Sequence, residues 1–513
     1  MQKNRKALAA LAPLAIAGVM LASCSADGSD GGSTGADNGG GSAAESTLRV
    51  NYGEFPENWS PGQAMEGGPA RVVYETLLAP GDDGMPAPNL ATDYELTADA
   101  LTLTLREDVT FHDGEPFDAE AVKANVEFVQ AGATQASGQL GSIESVDVVD
   151  EFIVRFNLSE PNPSLAHTLT SRALLIASPV SLESGDSATH PVGTSPWAYD
   201  PDASVMGTRL MFAGTDDYWG EQPAFDDVEL YAIGESEAAA AALRNGEIDV
   251  SEVEPDAVAA FEGTDVESIM YPAIRNNIVF FDRGPGGVFE SQELRQAFCT
   301  AMDVETFAND IADDFEAATQ HFDEGEAGYS SDIDGYPADI DAATALYEAA
   351  GSPSISFDLI GAVYNAHQLE VFMEMASEIG DVNISVESVP PPQFGSEWNT
   401  GRYPLGLGST DEATPYEWYK AWFAADAPNN PAGVESDELR AAADAAIAAG
   451  DSAEAAELWG DVAEIVADEA LVCAHARGLE TIAWNSTTVS GVDQPAEKWE
   501  PQLLNYRDVA PVE

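Results

Sequence analysis

Leu105-Arg106-Glu107-Asp108-Val109-Thr110-Phe111-His112-Asp113-Gly114-Glu115-Pro116-Phe117-Asp118-Ala119-Glu120-Ala121-Val122-Lys123 is the stretch on which the reading of this chain turns. It continues a run, Leu101 to Arg106, in which Leu alternates with Thr, the period of a strand with one face buried. Phe111 to Pro116 is turn chemistry. Asp118, two residues past Pro116, is placed to cap a helix that the apolar spacing carries to about Gln130.

The same alternation of periods extends outward in both directions. Thr47 to Gly53, Phe152 to Leu158, Ile248 to Val250, Asn277 to Phe281 and Asn383 to Val389 read as strands. Ala70 to Leu78, Ala238 to Leu243, Glu293 to Phe307, Asp341 to Ala350, Leu369 to Ile379, Leu439 to Ala449 and Ala453 to Ala467 read as helices. The mixture predicts an α/β protein with interspersed antiparallel pieces, and no repeat of solenoid period occurs.

A chain of 513 residues, 44% of them apolar, exceeds one ordinary hydrophobic core, so two or more lobes are expected. Ninety acidic against 20 basic residues give a net charge of −70, which repels nucleic acid and anionic headgroups. The acids are spread along the chain, as a solvated surface would place them, and a saline medium would screen their mutual repulsion. The sequence contains no Gly-x-Ser-x-Gly, His-Glu-x-x-His, Gly-x-x-x-x-Gly-Lys or Cys-x-x-Cys, and its six histidines are scattered. No catalytic constellation, metal site or cofactor is expected.

The N-terminus opens with Lys3, Arg5 and Lys6, followed by an apolar run from Ala7 to Ala22, the plan of a secretory signal peptide over residues 1–23. Leu21-Ala22-Ser23-Cys24 is similar to the lipobox of bacterial lipoproteins, which makes Cys24 the expected site of lipidation. Residues 24–46 are rich in Gly, Ser, Asp and Ala and read as a flexible tether.

The stretch from Leu105 to Lys123 closely resembles the signature of the family 5 extracellular solute-binding proteins, the peptide and nickel group of ABC importers. Further matches follow in the family's order: Tyr74-Glu75-Thr76-Leu77-Leu78, Pro88-Asn89-Leu90-Ala91, Pro191-Val192-Gly193-Thr194-Ser195-Pro196-Trp197, Asp217-Tyr218-Trp219-Gly220, Leu243-Arg244-Asn245-Gly246-Glu247-Ile248-Asp249 and Leu294-Arg295-Gln296-Ala297-Phe298. The resemblance implies a two-lobed periplasmic-binding-protein-like fold with mixed sheets and a two-stranded hinge. Lobe I would span 47–274, with an inserted subdomain at about 85–200, lobe II 275–478, and residues 479–513 would return to lobe I.

What the resemblance implies for function is capture without turnover. A peptide or other small solute is held between the lobes and passed to ABC permease subunits with a separate ATPase, by a monomer held on the outer face of the membrane through Cys24. Oligosaccharides or chelated nickel are alternative solutes on the same fold, with His321 and His475 the histidines available to a chelate. A secreted hydrolase and a peptide-sensing receptor are alternatives of other classes. In the family's peptide binders an aspartate shortly before a proline pairs with the ligand's ammonium, which points to Asp411, four residues before Pro415, with Glu412 as its substitute. Trp59, Trp398, Tyr416 and Trp418 are the aromatic candidates to line the cleft, and Arg275, near the hinge, pairs either a ligand carboxylate or a surface acid. His112 reads as a turn residue. Cys299 and Cys473 remain as either a disulfide across lobe II or two buried thiols.

Overall fold

The computed structural model describes residues 46–63, 67–81, 85–132, 134–309, 315–492 and 504–512. The signal peptide, Cys24 and nearly all of the tether lie outside them. Two long antiparallel strands, Val266–Phe281 and Val472–Asn485, organise the rest. At one end, Val266 to Pro272 pair with Asn485 to Leu479, and Val472–Asn485 continues the sheet through Val250–Glu252 to the first strand, Thr47–Asn51. At the other end, Asn276 to Phe281 pair with Thr410 to Leu405, which leads to Ile355–Ala362 and Val382–Val389. One sheet of 11 strands therefore passes through both lobes of the described residues.

Between the two ends the register shifts. Pro272 faces Leu479 and Asn276 faces Arg477, so Ala273, Ile274 and Arg275 lie opposite Gly478 alone. Pro272 has no N–H to give the ladder, and extra residues on one strand bend it, so the pair is weakest at this crossing.

A second, four-stranded antiparallel sheet joins Ala91–Leu96, Ala100–Leu105, Ile153–Leu158 and Ile143–Asp150. Helix Ala119–Ala131 packs on it through Val122, Val126 and Val129, and Asp118 caps that helix as expected, its side chain accepting from the Ala121 N–H. Separate apolar cores fill the first lobe and the two faces of the second lobe's strands. Cys299 and Cys473 are disulfide-bonded, tying helix Gln292–Thr300 to one of the long strands.

Two predicted helices differ. Over Ala70 to Leu78 the helix ends at Ala70, and Glu75–Thr76 and Leu78–Pro80 are short strands. Val72, Val73, Tyr74, Glu75, Leu77 and Leu78 are all buried, so the segment has no solvent face for a surface helix to present. Glu293 to Phe307 is two helices, Gln292–Thr300 and Val304–Asn309, because Asp303 turns back to accept from the Thr306 N–H and starts the second.

Most of the shared motifs are structural joints. Glu75 is fully buried and accepts from Thr194 Oγ1 at 2.8 Å, Trp219 Nε1 at 2.9 Å and Tyr218 Oη at 3.0 Å, with Arg507 as its ion partner. Asp249 takes a two-pronged contact from Arg49, at 2.9 and 2.7 Å. Buried Arg295 donates to the carbonyls of Phe289 and Glu469. His112 spans the turn to the Ser195 carbonyl at 2.8 Å, and burial keeps its ring below the usual histidine range.

Candidate functional site

The strand Leu405–Thr410 lies against the second half of the hinge strand, and the chain leaves it at Asp411. Asp411 is exposed. Glu412 turns inward: its Oε1 accepts from Trp422 Nε1 at 3.0 Å, while its Oε2 is buried and has no hydrogen-bond partner. Burial, then the charge of Asp411, pushes this carboxyl up to about 8. Thr414 caps the following helix, Pro415–Trp422, by accepting from the Glu417 N–H.

His321 holds the loop from behind. Its Nε2 lies 3.0 Å from the Glu412 carbonyl, so that nitrogen carries the proton. Nδ1 then accepts, with Thr410 Oγ1 at 3.0 Å and Asn276 Nδ2 at 3.4 Å. The ring stacks on Trp418 at 5.4 Å between centroids and 14° between planes, and burial drives its pKa down to about 4.

Pro272, Ala273, Asn276, His321, Glu412 and Arg477 surround a small cavity of about 30 Å³ beside the hinge. On the first lobe's side, Glu252 is pushed up to about 7 by burial and by the charges of Glu480 and Glu254. Glu480 is raised by burial too, and Arg275 draws both carboxyls back down. A larger cavity of about 440 Å³ lies beyond His321 and Phe322, lined by Trp418 and Val466.

Of the residues expected at the site, the structure brings Asp411 and Glu412 beside the hinge, sets Trp418 against His321 behind them, and places Trp59 and Trp398 elsewhere. Trp59 is 4% exposed in the first lobe's core against Phe212. Trp398 is 1% exposed, its Nε1 donating to the Asn429 carbonyl and its ring edge-on to Phe280. Both are packed core and not cleft wall, because their flat faces complete apolar clusters that loop sequence does not advertise. Tyr416 reaches across to the other lobe, its Oη donating to the Pro161 carbonyl at 3.1 Å. Arg275 is exposed, its guanidinium 5.4 Å over Phe315, and its electrostatic partners are protein acids. His321 acts as a neutral support of the loop, and the side chain of His475 is not described. Sequence reasoning missed Trp422 and Glu417. Their spacing from Pro415, within one short helix, was the available signal.

Two lobes joined by a crossing strand pair, with a polar loop at the crossing, define a two-lobed solute-binding protein. Residues 85–430 match the family model for the bacterial extracellular solute-binding proteins, family 5 (middle), and the chain belongs to that family. Among curated relatives, the Brucella ovis protein named "Putative ABC transporter peptide-binding protein" is 29% identical over 267 residues, 49% of this chain and 50% of its own. The chain thus spans about half the length of the first curated relatives it matches. The Escherichia coli protein named "Probable D,D-dipeptide-binding periplasmic protein DdpA" is 24% identical over 371 residues, 68% of this chain and 71% of its own. The E. coli nickel-binding periplasmic protein is 29% identical over 210 residues, 39% of each chain. Among solved structures, HbpA2 of Haemophilus parasuis superposes with a TM-score of 0.81 at 19% identity, covering 91% of this chain and 100% of its own. DppA of Helicobacter pylori, in complex with the peptide STSA, gives 0.69 at 19% identity over 91% and 98%. The family and its structural neighbours are binding proteins, not enzymes.

Proposed function

We propose that this chain captures peptides with a free amino terminus between its lobes and delivers them to an ABC permease driven by a separate ATPase. The observation that carries this reading is the Glu412 carboxyl, buried beside the hinge with Oε2 unpartnered. A buried carboxyl oxygen without a donor is costly, and a ligand ammonium is the donor that would relieve it. Asp411, one residue away and exposed, supplies a second carboxylate to the same cation. The names of the Brucella and DdpA relatives support a peptide as solute.

In this reading the register shift at 273–275 opposite Gly478 is where lobe I, 47–274 and 479–513, meets lobe II, 275–478. Closure bends the strand pair there, and the solute drives it by binding the closed form more tightly. Cys24 carries the lipid that keeps a monomer on the outer face of the membrane.

Thermal shift of the purified protein with alanyl-alanine, trialanine, maltotriose and nickel with histidine tests the solute class, since a ligand of the native state raises the melting temperature. A rise with the peptides that is lost on N-acetylation is the expected result. A rise only with maltotriose or the nickel chelate would discard the peptide reading.

A further inference from the structure

The helix Pro415–Trp422 begins four residues after Asp411, and the same helix makes the contacts that reach Glu160, Pro161 and Thr168. Tyr416 Oη donates to the Pro161 carbonyl at 3.1 Å, Lys420 Nζ lies 3.4 Å from Glu160, and Glu417 Oε1 lies 3.2 Å from Thr168 Oγ1. The loop that holds the acids and the surface that joins the lobes are one continuous piece of chain.

Glu417 is the odd member of that surface. Thr168 Oγ1 is also 3.1 Å from the Ser164 carbonyl, and one hydroxyl proton serves one acceptor at a time. An ionised Glu417 therefore competes with Ser164, whereas a neutral group bringing its own proton satisfies both. Burial raises the Glu417 carboxyl and the charge of Asp411 raises it further, against the bonds from Thr414 and Thr168 that lower it. Glu412 is raised in turn by Asp411 and by Glu417. The cations nearby are engaged elsewhere: Lys420 with Glu160 and Asp426, Arg477 with Asp323. Among the described residues, none of Asp411, Glu412 and Glu417 has an ion pair.

We propose that Glu417 is a specificity-determining residue, which makes contact between the lobes conditional on a solute that brings positive charge to the Asp411–Glu412 loop. This rests on the reading of that loop as the ammonium site. With the site empty, bringing Thr168 over Glu417 desolvates a carboxyl that already feels the charge of Asp411 and itself acts on Glu412. A bound ammonium offsets these charges, and a neutral solute of the same shape does not. Lobe contact is thereby coupled to charge as well as to fit.

The test measures calorimetric affinities of the purified protein for alanyl-alanine and N-acetyl-alanyl-alanine. The wild type is expected to favour the free peptide. Glu417→Gln, whose amide can donate to Thr168, narrows that ratio by about tenfold, mainly by strengthening the acetylated peptide, as loss of one like-charge repulsion predicts. It also makes the ligand-free protein more compact in solution scattering. Glu417→Ala narrows the ratio without restoring a hydrogen bond, while Thr168→Val weakens both ligands alike and leaves the ratio unchanged. A ratio untouched by Glu417→Gln and Glu417→Ala, or equal losses for both ligands, overturns the role of Glu417 and leaves ammonium capture standing. A wild type that binds both peptides equally overturns the two readings together.

Discussion

His321 Nε2 donates to the Glu412 carbonyl across 3.0 Å, although 91 residues separate them, and this bond fixes both the tautomer of the ring and the path of the acidic loop. His321→Ala leaves the groups at Glu412, Thr410 and Asn276 without their shared partner. A loss of about 2–4 kcal/mol by denaturant unfolding at pH 7 is expected. The ring's folded-state pKa of about 4 lies below its ordinary 6.5, so its contribution is full above pH 6.5 and is lost as pH falls toward 4. That portion amounts to roughly 3 kcal/mol and is absent from the variant. Parallel pH profiles for the two proteins would sink the assignment.

Glu412 has the opposite sign. Its folded pKa of about 8 exceeds the ordinary 4.5, so its stabilising share is full below pH 4.5 and disappears as pH rises through 8. Glu412→Gln keeps an oxygen for Trp422 and cannot ionise. Its melting temperature should equal that of the wild type at pH 4 and exceed it by several degrees at pH 8.5, by scanning fluorimetry. A pH-independent difference would count against a buried, ionisable Glu412.

The Cys299–Cys473 bridge closes a sequence separation of 174 residues. The double Cys→Ser variant should lose about 3–5 kcal/mol, and reducing the wild type should reproduce its melting temperature. Two titratable thiols in the denatured, unreduced wild type would contradict the bridge.

Glu75→Ala removes the acceptor of three neutral donors and strands the Arg507 guanidinium, and a cost of about 3–5 kcal/mol is expected from equilibrium unfolding. Arg507→Ala should cost less, since Thr194, Tyr218 and Trp219 still solvate the carboxylate. Equal costs would mean that the ion pair, not the neutral donors, holds Glu75.

Much of the architecture is legible in the sequence because local signals agree with the fold. The Leu-Thr alternation, the Asp118 cap and the alternation of Phe152 to Leu158 each act within a few residues. The motifs of Tyr74-Glu75, Thr194 and Tyr218-Trp219 are visible as words, but their meaning is not: the first supplies the Glu75 carboxylate and the other two its scattered donors. Of the candidate site, the sequence pointed to the acids Asp411 and Glu412 and not to what surrounds them. What buries Glu412 comes from Trp422 and from His321, far away in sequence, and no periodicity reports such a meeting. The same limit misplaced Trp59 and Trp398, whose flanking residues look like loop while their rings complete a core.

The first strand, Thr47–Asn51, lies beside Val250–Glu252, which in turn requires Val472–Asn485, and Arg507 reaches back to Glu75. During synthesis, then, the beginning of the folded part waits for its end. A ribosome must release nearly the whole described chain before the first lobe can be finished, so the nascent protein stays open for as long as translation lasts.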